Sequence, residues 1–227
     1  MSVCRRNVKR REVLKDKVVK KVNEFKPHKS QDDVFDKVIV ATTDEGKEHV
    51  IVTGTGTVGG EIEAYEVKLN KEENTYSVEE REPTEQNMFT MASTSYTGWV
   101  KAITDDPVGV DLCSTKLTLS WYDYGSTIGY KSRDLSTWAA NPSSLGTHWY
   151  VIGSTLDNYS LNSSKTQLTQ KGYGYYRNYD FLDDDEETRV THIISITAKN
   201  DGTYSYVVDW ERWGESWITL DLDIETN

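Results

Sequence analysis

Asp209 and Glu211 stand two residues apart in the stretch D-W-E-R-W-G-E-S-W that runs from Asp209 to Trp217. On a strand, that spacing projects both carboxylates from one face. Carboxylates about 5 to 9.5 Å apart are the machinery of glycoside hydrolysis, one as acid and the other as nucleophile or base. Such pairs are also common on the surface of any acidic sheet. The same stretch holds Trp213 and Trp217 beside Glu211 and Arg212, a set that suits non-catalytic binding. Exposed rings stack on sugars or fill a partner's pocket, and charged groups fix polar atoms at the edge. A second aromatic cluster, G-Y-G-Y-Y-R-N-Y, contains Tyr173, Tyr175 and Tyr176. The expected ligand of these clusters is a glycan or a protein surface; the structural alternative is that the rings pack against another sheet.

Asp180, Asp183, Asp184 and Asp185 belong to an acidic run that continues into Glu186 and Glu187. Hard oxygen ligands of this kind suit calcium, although the spacing is not that of an EF-hand, and a solvated charge run explains it equally. The glycines of V-I-V-T-G-T-G-T-V-G-G, Val50 to Gly60, match G-x-G-x-x-G letter for letter. A dinucleotide site also needs a helix after the glycines and further βαβ units. Here Y-E-V-K-L and T-Y-S-V-E follow as two strands around a turn, so the glycines are expected in a strand connection, and no organic cofactor is implied. His28, His49, His148 and His192 show no metal-ligand spacing, and nothing resembles G-x-S-x-G or a P-loop. Two cysteines, Cys4 and Cys113, make neither a disulfide framework nor a structural zinc site.

The elements that must position these residues are strands. Only 36% of the chain is apolar, but it holds 14 Tyr and 7 Trp with many Thr and Ser, a mixture suited to pleated, half-buried surfaces. Lys37 to Thr42 and His49 to Thr53 flank Asp44-Glu45-Gly46 as one hairpin, and Tyr65 to Leu69 with Tyr76 and Val78 form another. Further strands are expected at Thr97 to Ile103, Val108 to Leu112, Thr115 to Tyr122, His148 to Ile152 and Tyr173 to Phe181. Side-chain parity sharpens the C-terminal end. Val190, His192, Ile194, Ile196 and Ala198 alternate, as do Tyr204, Tyr206, Val208 and Trp210, and Ile218, Leu220, Leu222 and Ile224. With Asn200-Asp201-Gly202 as a three-residue loop, Ala198 pairs with Tyr204, Ile196 with Tyr206, Ile194 with Val208, and His192 with Trp210. Pairing Trp210 with Ile218 completes a three-stranded meander, which puts His192 in the core and Asp209, Glu211 and Trp217 on the outer face.

Charge divides the chain. Residues 1–30 hold 11 Lys or Arg against 3 acids, and residues 31–227 hold 15 against 34, which makes +8 and -19. The acidic body repels nucleic acid and stays soluble, in a saline habitat or an ordinary one. Leu14, Val18, Val22 and Phe25 recur at helical spacing among lysines and predict a basic amphipathic helix ending near Pro27. Arg10 to Lys15 resembles the twin-arginine export signal over a few residues, without the uncharged apolar stretch that should follow. No apolar run reaches the length of a membrane span.

The resulting expectation is an all-β, antiparallel protein, a β-sandwich or jelly roll, with a short N-terminal helix. Residues 1–30 are the helical segment, 31–86 a small β region and 87–227 the main one, with 31–227 as a single domain the alternative. The function expected is that of a non-catalytic binding or adhesion module, extracellular or at the cell surface. The alternatives are a carbohydrate-active enzyme using the paired carboxylates, or a secreted structural or toxin-like protein; a cytoplasmic location is the other placement. Oligomeric state is left open.

Overall fold

A computed structural model describes residues 19–28, 34–84, 95–140, 148–179, 187–214 and 219–227, with backbone alone for residues 19 and 20. The chain is all-β. Its strands are β1 (Val19–Pro27), β2 (Lys37–Thr43), β3 (Glu48–Thr57), β4 (Glu63–Asn70), β5 (Thr75–Glu80), β6 (Ser95–Asp105) and β7 (Asp111–Asp123). There follow β8 (Ile128–Ala139), β9 (Trp149–Leu156), β10 (Ser160–Leu161), β11 (Gln167–Asn178), β12 (Thr188–Lys199), β13 (Thr203–Gly214) and β14 (Asp221–Thr226).

These strands form one sheet in the order β10-β11-β12-β13-β3-β2-β1-β5-β4-β14-β6-β7-β8, with β9 also paired to β11. The sheet curls into a nearly closed, barrel-like wall. Its front half runs from β9 and β10 to β1, and its back half from β5 to β8; the short parallel pairing of β1 with β5 joins them. Opposite that join, β8 lies beside β9 and β11. There the Tyr130 and Tyr159 rings stack at 4.2 Å, and Arg133 Nη1 donates to Gln170 Oε1 at 2.9 Å. One large apolar cluster fills the space between the halves, drawing on Val50, Val52, Val67 and Val78 as well as Leu117, Ile194, Val208 and Ile224.

Both early hairpins are present, β2 on β3 and β4 on β5. The parity argument gives the β12–β13 register residue for residue, from Ala198 opposite Tyr204 to His192 opposite Trp210. Gly202 takes a positive φ in the connecting turn.

Three expectations need correction, and one strand was not foreseen. Residues 19–27 are a strand, not the end of a helix: Phe25 alone enters the core, Val22 points outward, and the backbone gains partners on β2. Leu14 and Val18 lie outside the described residues. The meander stops at two strands, because β13 takes β3 as its second neighbour and β14 crosses to the back half between β4 and β6. Leu220, Leu222 and Ile224 do face the core, but from its other side, since alternation defines a face and not a neighbour. Val108 sits exposed in a turn rather than a strand, capped by Asp106 Oδ1, which accepts from the amides of Val108 and Val110. β8 is a strand that its polar sequence conceals.

The glycine pattern has a packing cause. Gly54 and Gly56 lie inside β3, directly opposite Tyr206 and Tyr204 on β13. A Cβ at either position would collide with the facing tyrosine ring. Gly98 on β6 leaves room for Tyr204 from the far side, where a Cβ would lie 2.8 Å from ring carbons. Tyr204 then reaches across the barrel, its hydroxyl at 3.1 Å from the Trp99 carbonyl and bonded to the Asn227 carbonyl. Two inward tyrosines on one strand thus require two missing side chains on the next. Gly54→Ala and Gly56→Ala should each cost about 1 to 3 kcal/mol, as overpacked cores do. In denaturant unfolding, most of the Gly54→Ala loss should vanish in a Tyr206→Ala background, the mark of direct coupling.

Candidate functional site

Strand register collects the predicted aromatic residues on the outer face of the front half. Trp213 on β13 lies opposite Arg189 on β12, Arg189 opposite Arg177 on β11, and Arg177 opposite Tyr150 on β9. The result is a cross-strand row of aromatic, arginine, arginine, aromatic. The adjacent row runs Gly153, Tyr175, Thr191, Glu211, and the next Thr155, Tyr173, Ile193, Asp209. The two aromatic clusters, 34 or more residues apart in sequence, therefore share one face.

The rings on this face are held in place yet open to solvent. Tyr173 and Tyr175 stack at 6.2 Å with 9° between their planes, both half-buried. Arg177 sits 3.8 Å from the Tyr179 ring centroid and Arg189 4.9 Å from that of Trp213, geometries in which a guanidinium stabilises the ring's orientation. Glu187 accepts from Arg189 Nε and forms an ion pair with Arg177, which offsets the repulsion of two like charges on neighbouring strands. Tyr150, Ile152 and Tyr179 are 43%, 52% and 43% exposed, so the strip keeps a large apolar content at the surface.

Four of the expected site residues play other parts. Tyr176 has the opposite parity to Tyr175 and is fully buried, its hydroxyl 2.5 Å from the Ser114 carbonyl. Arg212 faces inward beside Trp210 and is buried; its Nη2 is 2.6 Å from Glu48 Oε1 and its Nη1 donates to the Leu220 carbonyl at 2.7 Å. It lines the barrel's mouth rather than the platform of Trp213. Asp209 and Glu211 do project from the outer face, but both are buried and converge on one histidine. His49 Nδ1 lies 2.7 Å from Asp209 Oδ1, and His49 Nε2 lies 3.4 Å from Glu211 Oε2. The remaining expected residues, Trp217, Asp180, Asp183, Asp184 and Asp185, lie outside the described residues. Among the described residues, no group of three His, Cys, Asp or Glu could hold a metal ion.

Sequence reasoning missed Tyr150, Arg177, Arg189 and Tyr179. A signal for two of them was present: Tyr173, Tyr175, Arg177 and Tyr179 alternate along one strand, and the same alternation excludes Tyr176. Arg189 and Tyr150 become neighbours only through cross-strand register.

The outer face of the back half carries a charged cluster. Arg81 bonds both Asp105, at 2.6 Å, and Asp223, and each of these buried aspartates keeps its Oδ1 without a hydrogen-bond partner. Burial pushes the Asp105 carboxyl up to about 7, opposed by Arg81 and reinforced by Asp111 and Glu66. Asp111 and Asp221 are raised as well, again chiefly by burial. In the core, burial holds His192 down at about 3.

Compared with known families, curated proteins and solved structures, the chain matches no family model, no curated protein and no structure.

These shifts act on stability with opposite signs. The native chain keeps a proton on Asp105 that the unfolded chain releases above 3.8, so this contribution is full below 3.8 and is lost as pH rises through 7. The native chain refuses a proton on His192 that the unfolded chain accepts below 6.5, so stability is lost as pH falls from 6.5 toward 3. Each is worth about 1.4 kcal/mol per pH unit between the native and unfolded values, and between roughly pH 4 and 6.5 the two offset each other. Urea unfolding at a series of pH values should separate them. Relative to the unaltered protein, Asp105→Asn should lose stability as pH falls through that window, and His192→Gln should gain it.

Proposed function

We propose that the protein is a non-catalytic binding or adhesion module that docks through the outer face of its front half-sheet, outside the cytoplasm. The observation that carries this reading is the cross-strand row Tyr150, Arg177, Arg189, Trp213 with Tyr173 and Tyr175 beside it. Tyr, Trp and Arg are the residues that dominate binding energy when a partner covers them. Their orientation is set in advance by stacking and by Glu187, which lowers the ordering cost of association. An outer face bearing Tyr, Trp, Arg and Ile has the composition of a protein–protein contact, and this favours a protein partner over an extended glycan. The calcium and enzymatic readings have less in their favour. The acidic run lies outside the described residues, and Asp209 and Glu211 are both engaged with His49. The location outside the cytoplasm rests on the function proposed.

The test is capture on the immobilised chain from the cell-surface fraction of its source. A folded Tyr175→Ala/Trp213→Ala double variant should bind the captured protein at least about tenfold more weakly, because losing an aromatic anchor costs about 2 kcal/mol or more. Equal capture by both forms ends the reading. Loss of a polysaccharide in place of a protein would turn it toward the glycan.

A further inference from the structure

The back half-sheet carries a second open site, independent of the aromatic face. Lys101 on β6 lies directly opposite Lys116 on β7, and Lys116 opposite Ser136 on β8. One row away, Ser114 pairs with Trp138. All point outward, since their neighbours Val100, Ala102, Thr115 and Leu117 are buried in the core. Together with Asp111 and Thr137 they line a cleft of about 320 Å³. Trp138 is 48% exposed, a large indole surface left at the edge of a polar depression.

Two ammonium groups directly opposite each other on adjacent strands repel. Here each is fixed by its surroundings: Lys116 Nζ sits 4.0 Å from the Trp99 ring centroid, and Lys101 Nζ donates to Thr84 Oγ1 at 2.5 Å and faces Glu225 at 3.5 Å. The lysines supply donors, Asp111 supplies an acceptor, and the hydroxyls of Ser114 and Ser136 serve as either. The only large apolar surface in the lining is the Trp138 ring.

We propose that this cleft binds a neutral sugar ring, stacked on Trp138 and hydrogen-bonded through its hydroxyls to Lys101, Lys116 and Asp111. A pyranose has an apolar face of C–H groups and a rim of hydroxyls that both donate and accept, which matches a lining of one indole with mixed donors and acceptors. The volume lies near the lower end for ligand pockets, suiting one or two rings. A sugar carboxylate would face Asp111, in a body of charge -19. A polyanion such as nucleic acid is disfavoured for the same reason, and an apolar ligand finds only one apolar wall.

The experiment is NMR of the full chain labelled at the tryptophan indole N–H, with Trp138 assigned by its loss in Trp138→Phe. Glucose, galactose, mannose and N-acetylglucosamine are titrated, with glucuronate as the charged comparator. At least one neutral sugar should shift the Trp138 signal saturably, at a dissociation constant of about 1 mM. Trp138→Ala, followed through the Trp99 signal, and Lys116→Ala should each weaken binding about tenfold or more, while Tyr175→Ala/Trp213→Ala should leave it unchanged. Circular dichroism confirms that each variant is folded. Absence of a saturable shift with any neutral sugar, a shift that survives both cleft substitutions, or binding of glucuronate alone overturns the proposal.

Discussion

The two halves of the wall are held in register by one buried hydrogen-bonded chain centred on His192. Trp210 Nε1 donates to Thr104 Oγ1 at 2.9 Å, and Thr104 Oγ1 lies 2.7 Å from His192 Nε2. On the other side His192 Nδ1 lies 3.1 Å from Thr115 Oγ1, which is 2.6 Å from the Tyr176 hydroxyl. Proton positions follow by elimination. The Ser114 carbonyl can only accept, so Tyr176 donates to it and accepts from Thr115. Thr115 then accepts from His192 Nδ1–H, and Nε2 accepts from Thr104. Only the neutral imidazole satisfies this chain, which agrees with burial holding His192 down at about 3. Tyr176, His192 and Trp210 come from the front half, and Thr104 and Thr115 from the back. A buried polar network is costly unless every member is satisfied, and satisfied networks favour a single arrangement of their elements. Apolar packing alone tolerates sliding; these directional bonds do not.

Around that link the inner face is crowded and the outer faces are free to differ. Tyr204 and Tyr206 fill the core so fully that β3 presents glycine opposite each, and Tyr204 ties the front half to Trp99 and Asn227 in the back half. With the core made by inward residues, the outward positions of the same strands carry unlike chemistry. The front half has the stacked tyrosines, two arginines and Trp213; the back half has Arg81 among carboxylates and the lysine-lined cleft at Trp138. One wall thus carries two separate surfaces, one aromatic and one polar.

Much of the fold was legible in the residues. Turn residues between short strands identified the first hairpin, and alternation identified the second, the register of β12 on β13 and the inward course of Leu222 and Ile224. The misplaced partner of β14 has a plain cause. Parity states which side a residue faces and is silent on which strand lies beside it, so β14 was joined to β13 although it belongs between β4 and β6. The misplaced site residues show the same rule applied incompletely: Tyr176 and Arg212 fall on the inner face by the alternation that sends Tyr175 and Trp213 outward. β8 was hidden because polar residues fill most of its outward positions and most of its inward ones are only half-buried.

By itself, then, the sequence determined the β class, the faces of its strands, the burial of His192 and the aromatic character of the outer surface, because all of these depend on local alternation of side chains. Tertiary structure alone decided what stands beside what. Trp213 meets Arg189 and, two strands on, Tyr150; Lys101 meets Lys116 and the Trp138 cleft opens; Asp209 and Glu211 converge on His49, 160 residues from Asp209. Those contacts are set by pairing between distant strands, and that pairing is fixed by collective packing of the barrel rather than by any single segment.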